Sequence, residues 1–218
     1  MDVNITGGAG RLQGVFQKGT SNKMALILPG NMDSKSHMND RVSYSMFLAF
    51  ARQGFSTLRF NFRGTGLSQG KIEEAEEEIL EDASSALDWL KNKNEHELHQ
   101  NVWIVGNERG AYAGMQLLMR RPEVKKFISI APSVNKFDFS FLTLCPCSGL
   151  IIHPDLGNEM KGIKLESLAR QLNEQKEIDI KFQRIKGANS SFDTGLKELY
   201  KHVEDYIVTE QDKKERLL

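Results

Sequence analysis

The run Gly106-Asn107-Glu108-Arg109-Gly110 joins an apolar strand-like stretch, Val102 to Val105, directly to a helical pattern that begins near residue 109. Its glycine spacing matches G-x-S-x-G, the strained strand-to-helix turn that lifts a nucleophilic serine above a sheet. The chemistry such a turn serves is acyl transfer: a hydroxyl is activated by an imidazole, oriented by a carboxylate and faced by oxyanion donors. Here the central position holds Glu108. A carboxylate beside Arg109 at a helix N-terminus is electrostatically favoured, so the plain expectation is that Glu108 fills the site and finds a local cation or backbone donor. Five histidines, His37, His96, His99, His153 and His202, are the candidate bases, and only His37 and His153 fall past the ends of apolar strand runs, where ligands sit in parallel sheets. A single histidine in such a place is more often a packed, hydrogen-bonded side chain than a base. Ser190 and Ser191 lack a recognisable base, and Asp155 orients nothing unless a histidine faces it. Those residues, with Arg109, are what a rearranged site would have to use.

Two further features offer no site of their own. Cys145 and Cys147 flank Pro146, which is half a metal site at most. A structural zinc takes about four ligands and no second Cys or Cys/His pair completes one, so no metal is expected and the pair reads as two reduced thiols near a strand start. The Gly-rich stretch Arg63-Gly64-Thr65-Gly66-Leu67-Ser68-Gln69-Gly70 lacks the Lys-Ser/Thr ending of a P-loop, and its glycines do not fit G-x-G-x-x-G. It reads as structural, and no cofactor is expected.

The elements that must position these residues alternate. Val3–Thr6 and Leu12–Gln17 around Gly7-Gly8-Ala9-Gly10 predict a hairpin, and Met24–Leu28 predicts a strand buried on both faces. Val42, Met46, Phe47, Phe50 and Ala51 are spaced as a helix that Gly54 terminates. Ser56–Phe62 predicts a strand, residues 72–93 an acidic amphipathic helix with Ile79, Ala83, Leu87 and Leu90 on one stripe, and residues 109–120 a further helix. Strands at Phe127–Ala131, Gly149–Ile152 and Ile178–Ile185 alternate with helices marked by Leu165, Leu168, Ala169 and Leu172 and by Leu196, Leu199, Tyr200, Val203 and Ile207. This order implies βαβ units and a mainly parallel sheet with helices on both faces. One domain over residues 1–210 and a charged tail over 211–218 are expected.

The whole chain of 218 residues carries 29 Lys+Arg and 29 Asp+Glu, a formal net charge of zero. That balance argues against non-specific nucleic-acid or membrane-surface binding, which needs a basic excess. No apolar run reaches the roughly 20 residues a bilayer span needs, so no membrane insertion is expected. Met1-Asp2-Val3-Asn4 resembles neither a signal peptide nor an Arg-rich transit peptide.

Several longer runs carry a resemblance: Gly10-Arg11-Leu12, Phe47–Arg52, Leu58–Gly64, Gly114–Glu123 and Asp138–Leu142. In them the chain resembles small bacterial α/β hydrolases related to dienelactone hydrolases, over nearly its full length. The resemblance implies an α/β-hydrolase fold without a large lid and, by default, a Ser–Asp–His esterase site. Carried over residue by residue, the nucleophile position falls on Glu108. The acid position of His153-Pro154-Asp155-Leu156-Gly157 falls on Gly157, and the histidine expected after Gly187-Ala188-Asn189 is Ser190. The oxyanion loop becomes Asn31-Met32-Asp33-Ser34-Lys35-Ser36-His37, which keeps the length and loses the composition. Related dehalogenases place aspartate at the elbow and release the ester with a histidine-activated water; with Ser190 at the histidine position that release would stall.

The favoured expectation is therefore a degenerate triad, Glu108, Gly157 and Ser190, in a pseudo-hydrolase that serves as a scaffold bound to a protein partner or larger assembly. One alternative is an active esterase-type hydrolase rearranged around Glu108, His37 or His153. Another is a small-molecule binder reusing the former pocket. The likeness to bacterial proteins points to a bacterial-type cytoplasm, or to an organelle matrix of bacterial descent such as the mitochondrion.

Overall fold

Met24, Leu26 and Leu28 pack on one face of a sheet while Ala25 and Ile27 pack on the other, which is why their run reads as continuously apolar. The structure, a computed structural model, describes residues 1–30, 37–72, 75–93, 101–156, 159–174 and 178–215. Along it run β1 (Asp2–Gly7), β2 (Gly10–Gln17), β3 (Lys23–Leu28), α1 (Arg41–Arg52), β4 (Ser56–Phe60), α2 (Glu76–Asn92) and β5 (Asn101–Asn107). There follow α3 (Arg109–Leu118), β6 (Val124–Ile130), a 3₁₀ turn (Ser140–Leu144), β7 (Gly149–Pro154), α4 (Glu159–Leu172), β8 (Ile180–Ile185) and α5 (Leu196–Glu215).

Among the described residues, eight strands form one sheet in the order β1-β2-β4-β3-β5-β6-β7-β8. The β1–β2 hairpin is antiparallel, β2 joins β4 antiparallel, and every other neighbouring pair is parallel. Helices α2, α3 and α4 close one core with Ile5, Phe60, Phe62 and Phe127 at its centre. Helices α1 and α5 close the other, around Phe50, Phe55, Trp103 and Phe192. The connection between β6 and β7 carries only the short 3₁₀ turn and no helical insertion.

Local signals explain the helix ends. The Asp40 carboxylate accepts the Ser43 N–H at 2.8 Å and caps α1, while Gly54, at φ +79, donates its N–H to Ala51 and closes the other end. Several boundaries differ from the expectations by a few residues, those of β4 and α5 among them. β4 stops at Phe60, and the Asn61 side chain just beyond it donates to Gln13 Oε1 and accepts from the Met38 N–H, both at 2.8 Å. Helix α5 runs on to Glu215, past Gln211, where the charged tail was expected to begin. Residues 216–218 lie outside the described residues.

Much of the Gly-rich loop is tied to the protein by hydrogen bonds. Gln69 exchanges hydrogen bonds with Arg11, the Ser68 hydroxyl bridges Gln13 and Asn61, and Arg63 reaches back to α2. The Arg63 guanidinium meets Asp82 at 2.7 Å and Glu81 at 2.5 Å, with Glu78 at 3.7 Å. Asp82 is wholly buried.

A second ion cluster sets an acid limit. Burial alone would raise the Glu123 pKa. Lys91 at 2.7 Å, its own backbone N–H and Arg121 at 3.0 Å overcome that and hold the carboxyl at about 2, against an ordinary 4.5. A depressed folded pKa gives stability that is complete above the unfolded value and is lost as pH falls. Between about pH 4.5 and 2, the native chain should therefore lose stability more steeply than Glu123→Gln. Denaturant midpoints of both proteins across that range check this; parallel curves would contradict it.

Candidate functional site

The strained turn after β5 is present. Glu108 has φ 46° and ψ −106°, a conformation that L side chains rarely adopt, and α3 starts at the next residue. The turn is held from below: the Glu108 N–H donates to the Ile130 carbonyl at 2.8 Å. The two flanking glycines are required by close approach. A Cβ on Gly106 would fall 2.5 Å from Ala111 Cα, and one on Gly110 would fall 2.5 Å from the Leu28 carbonyl oxygen. Both glycines let α3 pack down onto the ends of β3 and β5. The Glu108 side chain is half-buried and makes no capping bond to the helix N–H groups. Arg109, beside it, is buried.

The neighbouring connections follow β6, β7 and β8, which are parallel to β5, so all open at the same sheet edge. At the β6 end Ala131 also takes a positive φ, 46°, with its N–H on the Ile152 carbonyl at 2.8 Å. The connections after β7 and β8 are stitched together. The Asp155 carboxylate accepts the Gly187 N–H at 2.7 Å, and the Leu156 N–H donates to the Ala188 carbonyl at 3.0 Å. Asp155 thereby organises the β8 turn. Ser190 is exposed on that turn, whose shape is set by a reciprocal Asn189–Asp193 pair and by buried Phe192 at φ 52°. Asp193 in turn pairs with Arg41 at the start of α1.

The two histidines considered as bases sit differently. His37 is half-buried, and its Nδ1 accepts the Asn39 N–H at 3.1 Å, which leaves the ring proton to Nε2. It belongs to the turn that leads into α1, whose residues Met38 and Asn39 are gripped by Arg59. His153 does not stand on a loop. It lies inside β7, buried, and its ring lies under α4, where a Cβ on Gly162 would come within 2.8 Å of its Cδ2. Asn31, Met32, Asp33 and the rest of the former oxyanion stretch to Ser36, together with Gly157, His96 and His99, lie outside the described residues. Cys145 and Cys147 are free and buried just before β7, with Cys145 Sγ donating to the Cys147 carbonyl at 3.2 Å. No group of three or more metal-ligating side chains occurs among the described residues, and no described helix is long and apolar enough to cross a membrane.

The strand order, the antiparallel second strand, the helices on both faces and the strained turn after β5 define an α/β-hydrolase fold. The chain belongs to the family described as X-Pro dipeptidyl-peptidase (S15 family), whose pattern matches residues 20–217. It is 37% identical over 215 residues to an uncharacterized protein of Rickettsia prowazekii, covering 96% of this chain and 89% of that one. A crystal structure of a protein of unknown function from Agrobacterium tumefaciens is 39% identical, with a TM-score of 0.90 over 98% of this chain and 97% of the other. A serine hydrolase without a lid from Xanthomonas campestris superposes with a TM-score of 0.79 at 20% identity, over 94% and 92% of the two chains, which bears on the fold alone. The relatives thus place the chain in the α/β-hydrolase superfamily.

Proposed function

We propose that this chain is a catalytically inactive α/β-hydrolase-fold protein that acts by binding, as a scaffold or interaction subunit. The observation that carries the reading is Glu108 itself: a carboxylate occupies the one strained turn that in this fold presents the nucleophile. The family's namesake activity, release of X-Pro dipeptides, needs a nucleophile at the elbow and a base facing it, as does ester hydrolysis. In this reading Glu108, Gly157 and Ser190 take the three triad positions, after β5, β7 and β8. A carboxylate, a hydrogen and an unassisted hydroxyl cannot relay a proton among themselves. Asp155 supports the reading, since its carboxylate is committed to the Gly187 N–H. So does His153, whose ring is packed beneath α4.

The test is a panel of p-nitrophenyl esters, acyl thioesters and X-Pro dipeptide anilides with the purified protein. Turnover is expected to match the buffer blank for the native chain, and Glu108→Ser alone is expected to stay silent because no imidazole stands at residue 190. Turnover that vanishes in Glu108→Ala would overturn the proposal and favour a rearranged hydrolase.

A further inference from the structure

The chain holds two cysteines, and both sit on the short connection between the 3₁₀ turn and β7. The Cys145 N–H donates to the Leu142 carbonyl at 2.8 Å and ends the turn, and exposed Pro146 fixes φ between the pair. The two side chains meet across Pro146. Cys145 Sγ reaches the Cys147 carbonyl at 3.2 Å, and the two thiols share a hydrogen bond. That contact holds the Cys145 thiol below its ordinary pKa, whereas the same contact and burial push Cys147 up. Cys145 is thus the thiolate of the pair, and Cys147 the thiol that hydrogen-bonds to it.

Cys147 also lines a cavity of about 450 Å³ at the amino ends of β6 and β7, the end of the sheet opposite Glu108. Its walls come from the end of α3, the start of β6 and the connection before β7, and four cations stand around it: Arg120, Arg121, Lys125 and Lys126. Two of these are committed, Arg121 to Asp88 and Glu123 and Lys126 to Glu210. Arg120 and Lys125, both exposed, bond to Gln116 and to the Pro122 carbonyl, and neither is ion-paired with a carboxylate among the described residues. The cavity therefore carries a surplus of positive charge beside a thiol, which favours an anionic ligand.

We propose that Cys145 and Cys147 are a reversible redox site, closed to a disulfide by exchange with a small anionic disulfide of the glutathione type that enters this cavity. Cys147, at the wall, attacks one sulfur of the ligand as its proton passes across the hydrogen bond to the Cys145 thiolate, and one small thiolate leaves. Cys145 gives the proton to that thiolate and attacks the Cys147 sulfur. The second small thiolate leaves and takes a proton from solvent. Two cysteine thiols and one ligand disulfide thus become one protein disulfide and two small thiols; the cysteines are oxidised by two electrons and the ligand is reduced. A ring closed across one residue is strained, so the bond is readily reduced again and the site is reversible. The inference is independent of the catalytic reading, which the substrate panel tests separately.

Because the chain has no other cysteine, intact mass reads the site directly. The reduced chain, incubated with glutathione disulfide and quenched in acid, is expected to lose two hydrogens without linking to a second copy, and to regain them with dithiothreitol. Cys145→Ser is expected to stop with one glutathione on Cys147. Cys147→Ser is expected to react at least about tenfold more slowly, because its remaining thiol does not line the cavity. Arg120→Glu/Lys125→Glu, with unchanged circular dichroism, is expected to slow reaction with glutathione disulfide at least about fivefold and to speed reaction with the cationic disulfide cystamine. A native chain that keeps both thiols, that accumulates glutathione adducts, or that links to a second copy would overturn the proposal. Charge reversal that leaves both rates unchanged would overturn the part assigned to the cavity.

Discussion

Asp82→Ala is expected to remove about 3–5 kcal/mol of folding stability. Asp82 is wholly buried and accepts the Arg63 backbone N–H at 2.8 Å as well as the guanidinium through Nε and Nη2. Truncating it leaves the Arg63 cation buried, with Glu81 at its exposed flank and Glu78 at 3.7 Å. It also leaves a backbone donor unmet. The Arg63 pKa is raised chiefly by the hydrogen bonds it donates to Asp82; without them a guanidinium still keeps its proton, so Arg63 cannot neutralise itself to escape. A domain of this size holds about 5–15 kcal/mol in all, so the loss takes a large share. The double replacement Arg63→Met/Asp82→Leu should cost far less than Asp82→Ala, because no charge is stranded. Guanidinium unfolding followed by tryptophan fluorescence measures all three. A loss under about 1 kcal/mol for Asp82→Ala would show that the pair does not anchor the loop.

The second large effect belongs to the elbow and has opposite signs at neighbouring positions. Glu108 holds φ 46° and ψ −106°, a strain worth about 1–3 kcal/mol for a residue with a Cβ. Glu108→Gly releases that strain but adds freedom to the unfolded chain, and a net gain of about 1 kcal/mol is expected. Glu108→Ala keeps the Cβ and should bring no such gain. Gly110→Ala drives a methyl into the carbonyls of Leu28 and Pro29, which are backbone and cannot step aside, so a loss of about 3 kcal/mol is expected. Thermal unfolding of the three variants decides the matter. If Glu108→Gly and Glu108→Ala both proved less stable than the native chain, the carboxylate itself would be holding the turn, and its contacts would matter more than the backbone.

These two sites show how the fold separates from its chemistry. The strained turn, its packed glycines and the hydrogen bond to Ile130 are a mechanical device for presenting a side chain. The device works the same way whichever side chain it presents. Family membership and superposition therefore speak for the scaffold, and the residue at position 108 speaks for what the scaffold can do.

Much of this was legible in the order of residues. The apolar runs at Met24–Leu28, Val102–Val105 and Gly149–Ile152 appear as strands buried on both faces, because each borders both cores. The G-x-E-x-G spacing located the elbow, because a close approach of backbone to backbone leaves glycine as its trace. The importance of Asp82 was readable and was missed. It falls between Ile79 and Ala83 on the apolar stripe of α2, where a carboxylate must have a buried cation, yet the surrounding glutamates made it look like part of a solvated face.

Other features were settled only by the assembled chain. That His153 turns under α4, although it ends a strand run at the active edge, depends on the pleat of β7 and on Gly162 arriving from a different helix. That Asp155 serves the β8 turn depends on two distant connections lying side by side. Sequence periodicity reports which face of its own element a residue occupies, because that follows from local backbone geometry. What the residue meets there depends on how separate elements pack, and spacing along one chain does not carry that.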